Sequence, residues 1–193
     1  MNKAQERFEA KRNEALSSLL GDAPADARAA AAAVLEKELL GVVNAWTEAW
    51  VKAPATLDLF LRLSRDADAR VADAALVALV RMAWSYAVEV DLGEALTRGF
   101  VSSAPKTRRW AAEGMSLVGD ASLWERLLPL VDDADKHVRS TVMLSLSRRA
   151  AGEAPLPDAL RARWLAAARA ASKDRDRAVR ESAALALKAL AAK

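Results

Sequence analysis

Between Ser122 and Ala150 the chain sets two apolar segments on either side of an acidic turn. Leu123, Trp124, Leu127, Leu128, Leu130 and Val131 form the first, Asp132 to Asp135 the turn, and Val138, Val142, Met143 and Leu146 the second. Steps of three and four put each apolar set on one face of a helix. The stretch therefore predicts two antiparallel helices around a tight turn. One such hairpin cannot bury its apolar face alone, so it needs copies of itself to stack against.

Weaker copies are present. Residues 55–64 and 70–83 flank the turn Arg65 to Ala69, and residues 91–102 and 107–118 flank Ser103 to Lys106. Residues 121–131 and 137–149 flank Asp132 to Lys136, and residues 156–172 and 178–191 flank Lys173 to Arg177. The second helices fall into register at Val71, Thr107, Val138 and Val179, at intervals of 36, 31 and 41 residues, which lie in the range of solenoid repeats. Four residues on stand Ala75, Ala111, Val142 and Ala183, and eight on stand Leu79, Met115, Leu146 and Leu187. These wind onto one helical face and predict the core between helices. Seven on stand Ala78, Gly114, Ser145 and Ala186, all small enough for close helix approach.

Asp68, Asp135 and Asp176 each precede the register residue by three, and Arg108, Arg139 and Arg180 each follow it by one. This Asp-x-x-Val-Arg pattern resembles HEAT repeats, including the short bacterial kind, over residues 55–193. The resemblance implies an all-α fold, a right-handed α-α superhelix of antiparallel helix pairs. It further implies a structural ladder between neighbouring repeats through Asp135, Arg139, Asp176 and Arg180, with Arg108 as a further member. Ala104 and Thr107 depart from the pattern, as does Ala72 at the arginine position.

Nothing before residue 54 fits the repeat well. Residues 2–20 predict a helix with Phe8, Leu16, Leu19 and Leu20 on one side, interrupted by Lys11 and Arg12. Residues 25–52 read as one long helix carrying Leu35, Leu39, Val42, Val43, Trp46 and Trp50. The expected organisation is an irregular N-terminal pair over 1–54 and four repeats over 55–193.

Composition narrows the function. With no Cys and one His, thiolate chemistry and histidine-rich metal sites drop out, so no cofactor or metal is expected. No Gly-rich phosphate loop, H-E-x-x-H or G-x-S-x-G motif occurs, and His137 has no serine–carboxylate context. The expectation is a protein that is not an enzyme. The start MNKAQERFEAKRNEAL has no apolar core of a secretory signal, and no run approaches the ~18 apolar residues of a membrane span. A cytoplasmic location is the default expectation.

Recognition remains. Two, six and ten residues past the register position, the second helices carry Asp73, Val77 and Arg81, then Arg109, Glu113 and Leu117. The later ones carry Ser140, Leu144 and Arg148, then Glu181, Leu185 and Ala189. In a solenoid this face lines the concave side, where partners bind. Its mixed character suits a protein or peptide partner contacting Val77, Arg81, Arg109, Trp110, Leu144, Leu185 and Arg148. Trp110 stands out because its equivalents Ala74, Thr141 and Ser182 are small; it either anchors a ligand or fills a gap.

The alternative is nucleic acid. Residues 1–100 carry 12 basic against 15 acidic side chains, and residues 101–193 carry 17 against 11, so the C-terminal half is net +6. Lys106, Arg149, Arg175 and Arg177 are the candidate basic patch. A remote variant follows from HEAT-like DNA glycosylases that excise alkylated bases, for which Trp84, Tyr86, Glu89 and Asp91 offer aromatic and acidic groups. Self-association is a third candidate, because the last helix, ESAALALKALAAK, is Ala- and Leu-rich where a terminal cap is polar.

Overall fold

A computed structural model describes residues 3–41, 43–151 and 156–192. Among them the secondary structure is helical, without strands. The chain divides into two compact units, Met1–Asp91 and Leu92–Lys193.

The first unit holds α1 (Lys3–Leu20), α2 (Ala25–Leu39), α3 (Ala45–Val51), α4 (Pro54–Leu63) and α5 (Ala69–Tyr86). The expected helix over 25–52 is interrupted. Leu40 ends α2, and Asn44 starts α3 with a capping box: its side chain accepts the Thr47 N–H at 3.0 Å and its own N–H donates to Thr47 Oγ1 at 3.2 Å. The periodic apolar set is split accordingly. Leu35 and Leu39 are fully buried, whereas Val43 is 43 % exposed; Val42 lies outside the described residues. Trp50 joins three helices instead, edge-on to Phe8 of α1 at 5.8 Å and to Phe60 of α4 at 6.0 Å. Arg12, which breaks the apolar stripe of α1, lies 5.7 Å from the Phe8 ring centre and 5.9 Å from that of Trp50. Such cation–π contacts contribute roughly 0.5–1 kcal/mol at exposed sites.

In this unit α2 and α4 both pack on α5. Leu76 to Val80 are consecutively buried, as in a helix covered on all sides. It ends at Ala87 in the left-handed region, φ 51°, where the Val88 N–H reaches back to the Met82 carbonyl at 3.3 Å.

The second unit stacks three hairpins. Its helices are α6 (Gly93–Phe100), α7 (Pro105–Gly114), α8 (Ala121–Leu127), α9 (Lys136–Ala151), α10 (Asp158–Ala171) and α11 (Arg177–Ala191). The second helices pack in sequence, α7 on α9 and α9 on α11, with the small residues Ser145 and Ala186 fully buried between them. The expected helix over 121–131 changes to a 3-10 turn at Leu128–Asp132, because Pro129 lacks the N–H that an α-helix would use. Trp124 and Trp164 meet edge-on at 5.8 Å in the core, and the Trp124 indole donates to the Val118 carbonyl at 3.2 Å. Full burial of one large apolar side chain contributes roughly 1.5–3 kcal/mol.

Candidate functional site

The turns between paired helices share one hydrogen-bond plan. Five residues before the register position, an Asp side chain accepts the N–H two residues on: Asp66 from Asp68 at 2.9 Å, Asp133 from Asp135 at 2.8 Å, Asp174 from Asp176 at 2.8 Å. Ser102 does the same for Ala104 at 3.1 Å. Two residues later a second Asp caps the coming helix, Asp68 accepting from the Arg70 N–H, Asp135 from His137 and Asp176 from Ala178.

The arginine after the register residue ties successive turns together. Arg108 Nη1 donates to the Ser102 and Ser103 carbonyls of its own turn at 2.8 and 3.1 Å, while Nε and Nη2 fork onto Asp133 of the next at 2.6 and 2.9 Å. Arg139 repeats this, holding Asp133 O and Ala134 O at 2.7 and 3.2 Å and forking onto Asp174 at 2.8 and 3.0 Å. Arg180 holds its own turn, Asp174 O and Arg175 O, at 2.8 and 3.0 Å. In the first unit Arg28 of α2 pairs with Asp66, while α5 carries Ala72 in the arginine position. The hydrogen bonds from Arg108 and Arg139 hold the Asp133 and Asp174 carboxyls below the usual aspartate range, and raise both arginines.

This corrects the expected ladder. Its arginines are Arg108 and Arg139, but the carboxylates are Asp133 and Asp174; Asp135 and Asp176 are helix caps, the latter also paired with Lys136 at 3.1 Å. The signal for the true rungs lay in the sequence as a recurring Asp-x-Asp: Asp66 with Asp68, Asp133 with Asp135, Asp174 with Asp176.

The solvent-facing side of α7, α9 and α11 carries the candidate binding residues of the second unit. Leu144 is half-buried on α9, and Leu185, its equivalent on α11, is 52 % exposed. Arg109 on α7 and Lys188 on α11 are exposed cations without a carboxylate partner among the described residues. Two other cations are neutralised locally, Arg148 by Glu113 and Arg177 by Glu181. Trp110 is half-buried.

Other expected contacts are placed differently. Val77 is only 1 % exposed and belongs to the core. Arg81 donates to the Leu39 and Gly41 carbonyls at 3.1 and 3.3 Å, which satisfies the C-terminal end of α2. In the candidate basic patch, Arg149 donates to the Gly119 carbonyl at 3.2 Å beside the far ends of the second helices. Lys106, Arg175 and Arg177 lie at the turn end. Arg175 there borders a cleft lined by Asp132, Asp133 and Asp174. The four cations thus form no continuous track. Tyr86 is buried while Trp84, Glu89 and Asp91 are exposed, so that quartet does not converge. Among the described residues no group of three or more His, Asp or Glu is placed to hold a metal ion, and no helix is long and apolar enough to cross a membrane.

No family model and no curated protein matches this chain. Solved structures do. A designed armadillo repeat protein aligns with TM-score 0.72 and 20 % identity, over 96 % of this chain and 85 % of that one. An engineered protein aligns at 0.67 and 19 %, over 99 % and 80 %. A second designed armadillo repeat protein, in complex with the peptide (KR)4, aligns at 0.67 and 17 %, over 96 % and 84 %. At such identities the likeness concerns fold, and it agrees with the helix pairs. The chain is an all-α helical-repeat solenoid.

Proposed function

We propose that this chain is a non-enzymatic scaffold of HEAT-like type that receives a segment of a protein partner on the solvent face of α7, α9 and α11. The observation carrying this reading is Leu185, a large apolar side chain more than half exposed beside half-buried Leu144. Apolar groups of this kind at the centre of a polar rim are what interfaces bury. The unpartnered cations Arg109 and Lys188 on that rim favour a segment with an apolar side chain flanked by Asp or Glu. The peptide complex of a designed armadillo repeat protein supports the use of this kind of fold for peptides; the sequence bound here is expected to be acidic.

Panning immobilised protein against a random peptide library tests the reading. Enriched peptides should pair an apolar residue with carboxylates. Their affinity should fall on the order of tenfold in Leu185→Asp and in Arg109→Glu, with the helical circular dichroism intact. Failure to enrich, or equal binding to both variants, would reject it. Steep salt-dependent capture of oligonucleotides would favour a nucleic-acid surface instead.

A further inference from the structure

We propose that copies of this chain associate head to tail, the outer edge of α11 in one copy stacking on the outer edge of α2 in the next. Four observations meet on this arrangement, none involving the solvent face invoked for peptide binding.

The first is Arg180. Its Nη1 holds two carbonyls of its own turn just as Arg108 and Arg139 do. In those two, Nε and Nη2 then fork onto a carboxylate of the following turn. Arg180 has no carboxylate partner among the described residues and is exposed. The guanidinium is thus oriented for a carboxylate that the described residues do not supply.

The second is Asp22. Arg28 pairs through Nη2 with Asp66, the carboxylate in the rung position of a later turn, which sets Ala27 as the register residue of α2. Five residues earlier stands Asp22, in the position of Asp66, Asp133 and Asp174. The N–H those aspartates accept belongs to the residue two on; here that residue is Pro24, which has none. Asp22 is exposed, with no partner among the described residues. It is a rung without its arginine.

The third and fourth are the helix edges. On the side of α9 that faces α11, Met143, Leu146 and Ala150 are buried along with Arg139; on α11 the equivalents Ala184 and Ala191 are exposed and Leu187 half-buried. On the receiving side, Thr141 and Ser145 of α9 and Ser182 and Ala186 of α11 are buried against the preceding helix. Their equivalents on α2 are Ala30 and Val34, both exposed, Val34 by 37 %. With Ala27 and Ala31 they floor a groove of about 500 Å³ beside α1. One edge offers a cation and small apolar side chains; the other offers a carboxylate and a groove with an alanine and valine floor, rimmed by Lys11, Glu14, Lys37 and Glu38. They complement each other as α9 complements α11. A contact joining two different surfaces is heterologous, so it propagates into a ring or an open chain of copies and does not stop at a symmetric pair.

Sedimentation over a wide concentration series at low salt tests the proposal. The average mass should climb past two chains. Arg180→Asp and Asp22→Arg should each weaken association on the order of tenfold or more, since like charges would then meet. Mixing these two variants should restore it, because every junction in the mixture can again pair opposite charges. Arg180 also braces its own turn, so Ala184→Glu, which leaves that brace intact, should weaken association equally. Leu185→Asp should leave association unchanged while weakening peptide capture on the order of tenfold, which separates the two proposals. A monomer at every concentration would overturn the inference. So would a symmetric dimer indifferent to the charge changes, or a mixture that fails to recover.

Discussion

Arg139 is only 6 % exposed, yet it satisfies two carbonyls and one carboxylate belonging to two turns. Truncating one partner of such a pair leaves the other charge poorly solvated, a cost of about 3 kcal/mol or more. Arg139→Leu should lower the unfolding free energy by that order, as read from urea midpoints. Acid should act on the same bonds. The Asp133 and Asp174 carboxyls are held below their unfolded value by the Arg108 and Arg139 hydrogen bonds. Asp68 is lowered to about 2, chiefly by the Arg70 side chain and N–H. A depressed folded pKa contributes stability in full above the unfolded value, roughly 4, and loses it as pH falls through the folded one. The urea midpoint should therefore hold steady down to about pH 5 and drop below about pH 4, less steeply in Asp174→Asn. The arginines of the ladder were legible because one residue type recurs at one offset. The carboxylates were not, because two aspartates stand in three of these turns, at 66 and 68, 133 and 135, and 174 and 176, and spacing alone does not say which one caps and which one bridges.

At the scale of the element, hairpin positions followed from apolar periodicity, and helix ends did not. The 3.6-residue pattern runs unbroken through residues 35–50, so nothing in it marks Leu40 as a terminus; the stop depends on the local Asn44–Thr47 hydrogen bonds. Pro129 was the more readable breaker. Val77 shows the opposite failure. Its offset from the register residue matches the half-exposed Leu144, but a helix as apolar as α5 is covered on more sides than periodicity specifies. The end of α5 carries a prediction. Ala87 adopts φ 51° and is exposed, a conformation that costs an L-residue roughly 1–2 kcal/mol. Ala87→Gly relieves this and loses part of the gain to chain entropy. Its net effect should be a stabilisation of about 0.5–1 kcal/mol, visible as a higher melting temperature with unchanged helicity.

For the molecule as a whole, the repeat register and the solenoid class were legible, while the division at Asp91 and Leu92 was not. The second unit contains three hairpins with a core that includes Trp124 and Trp164, enough repeats to sustain a stack. Residues 92–193 expressed alone should keep a cooperative thermal transition by circular dichroism; a featureless melt would mean that their core is incomplete. The ladder has a direction, since Arg108 and Arg139 each brace their own turn and reach to the turn that follows. A hairpin copied within the gene would arrive with one hand extended forward and one waiting behind. Spliced between two of its neighbours, it would find both grasped, with no change to residues outside the insertion. Such a chain can lengthen or shorten by whole hairpins through single genetic events.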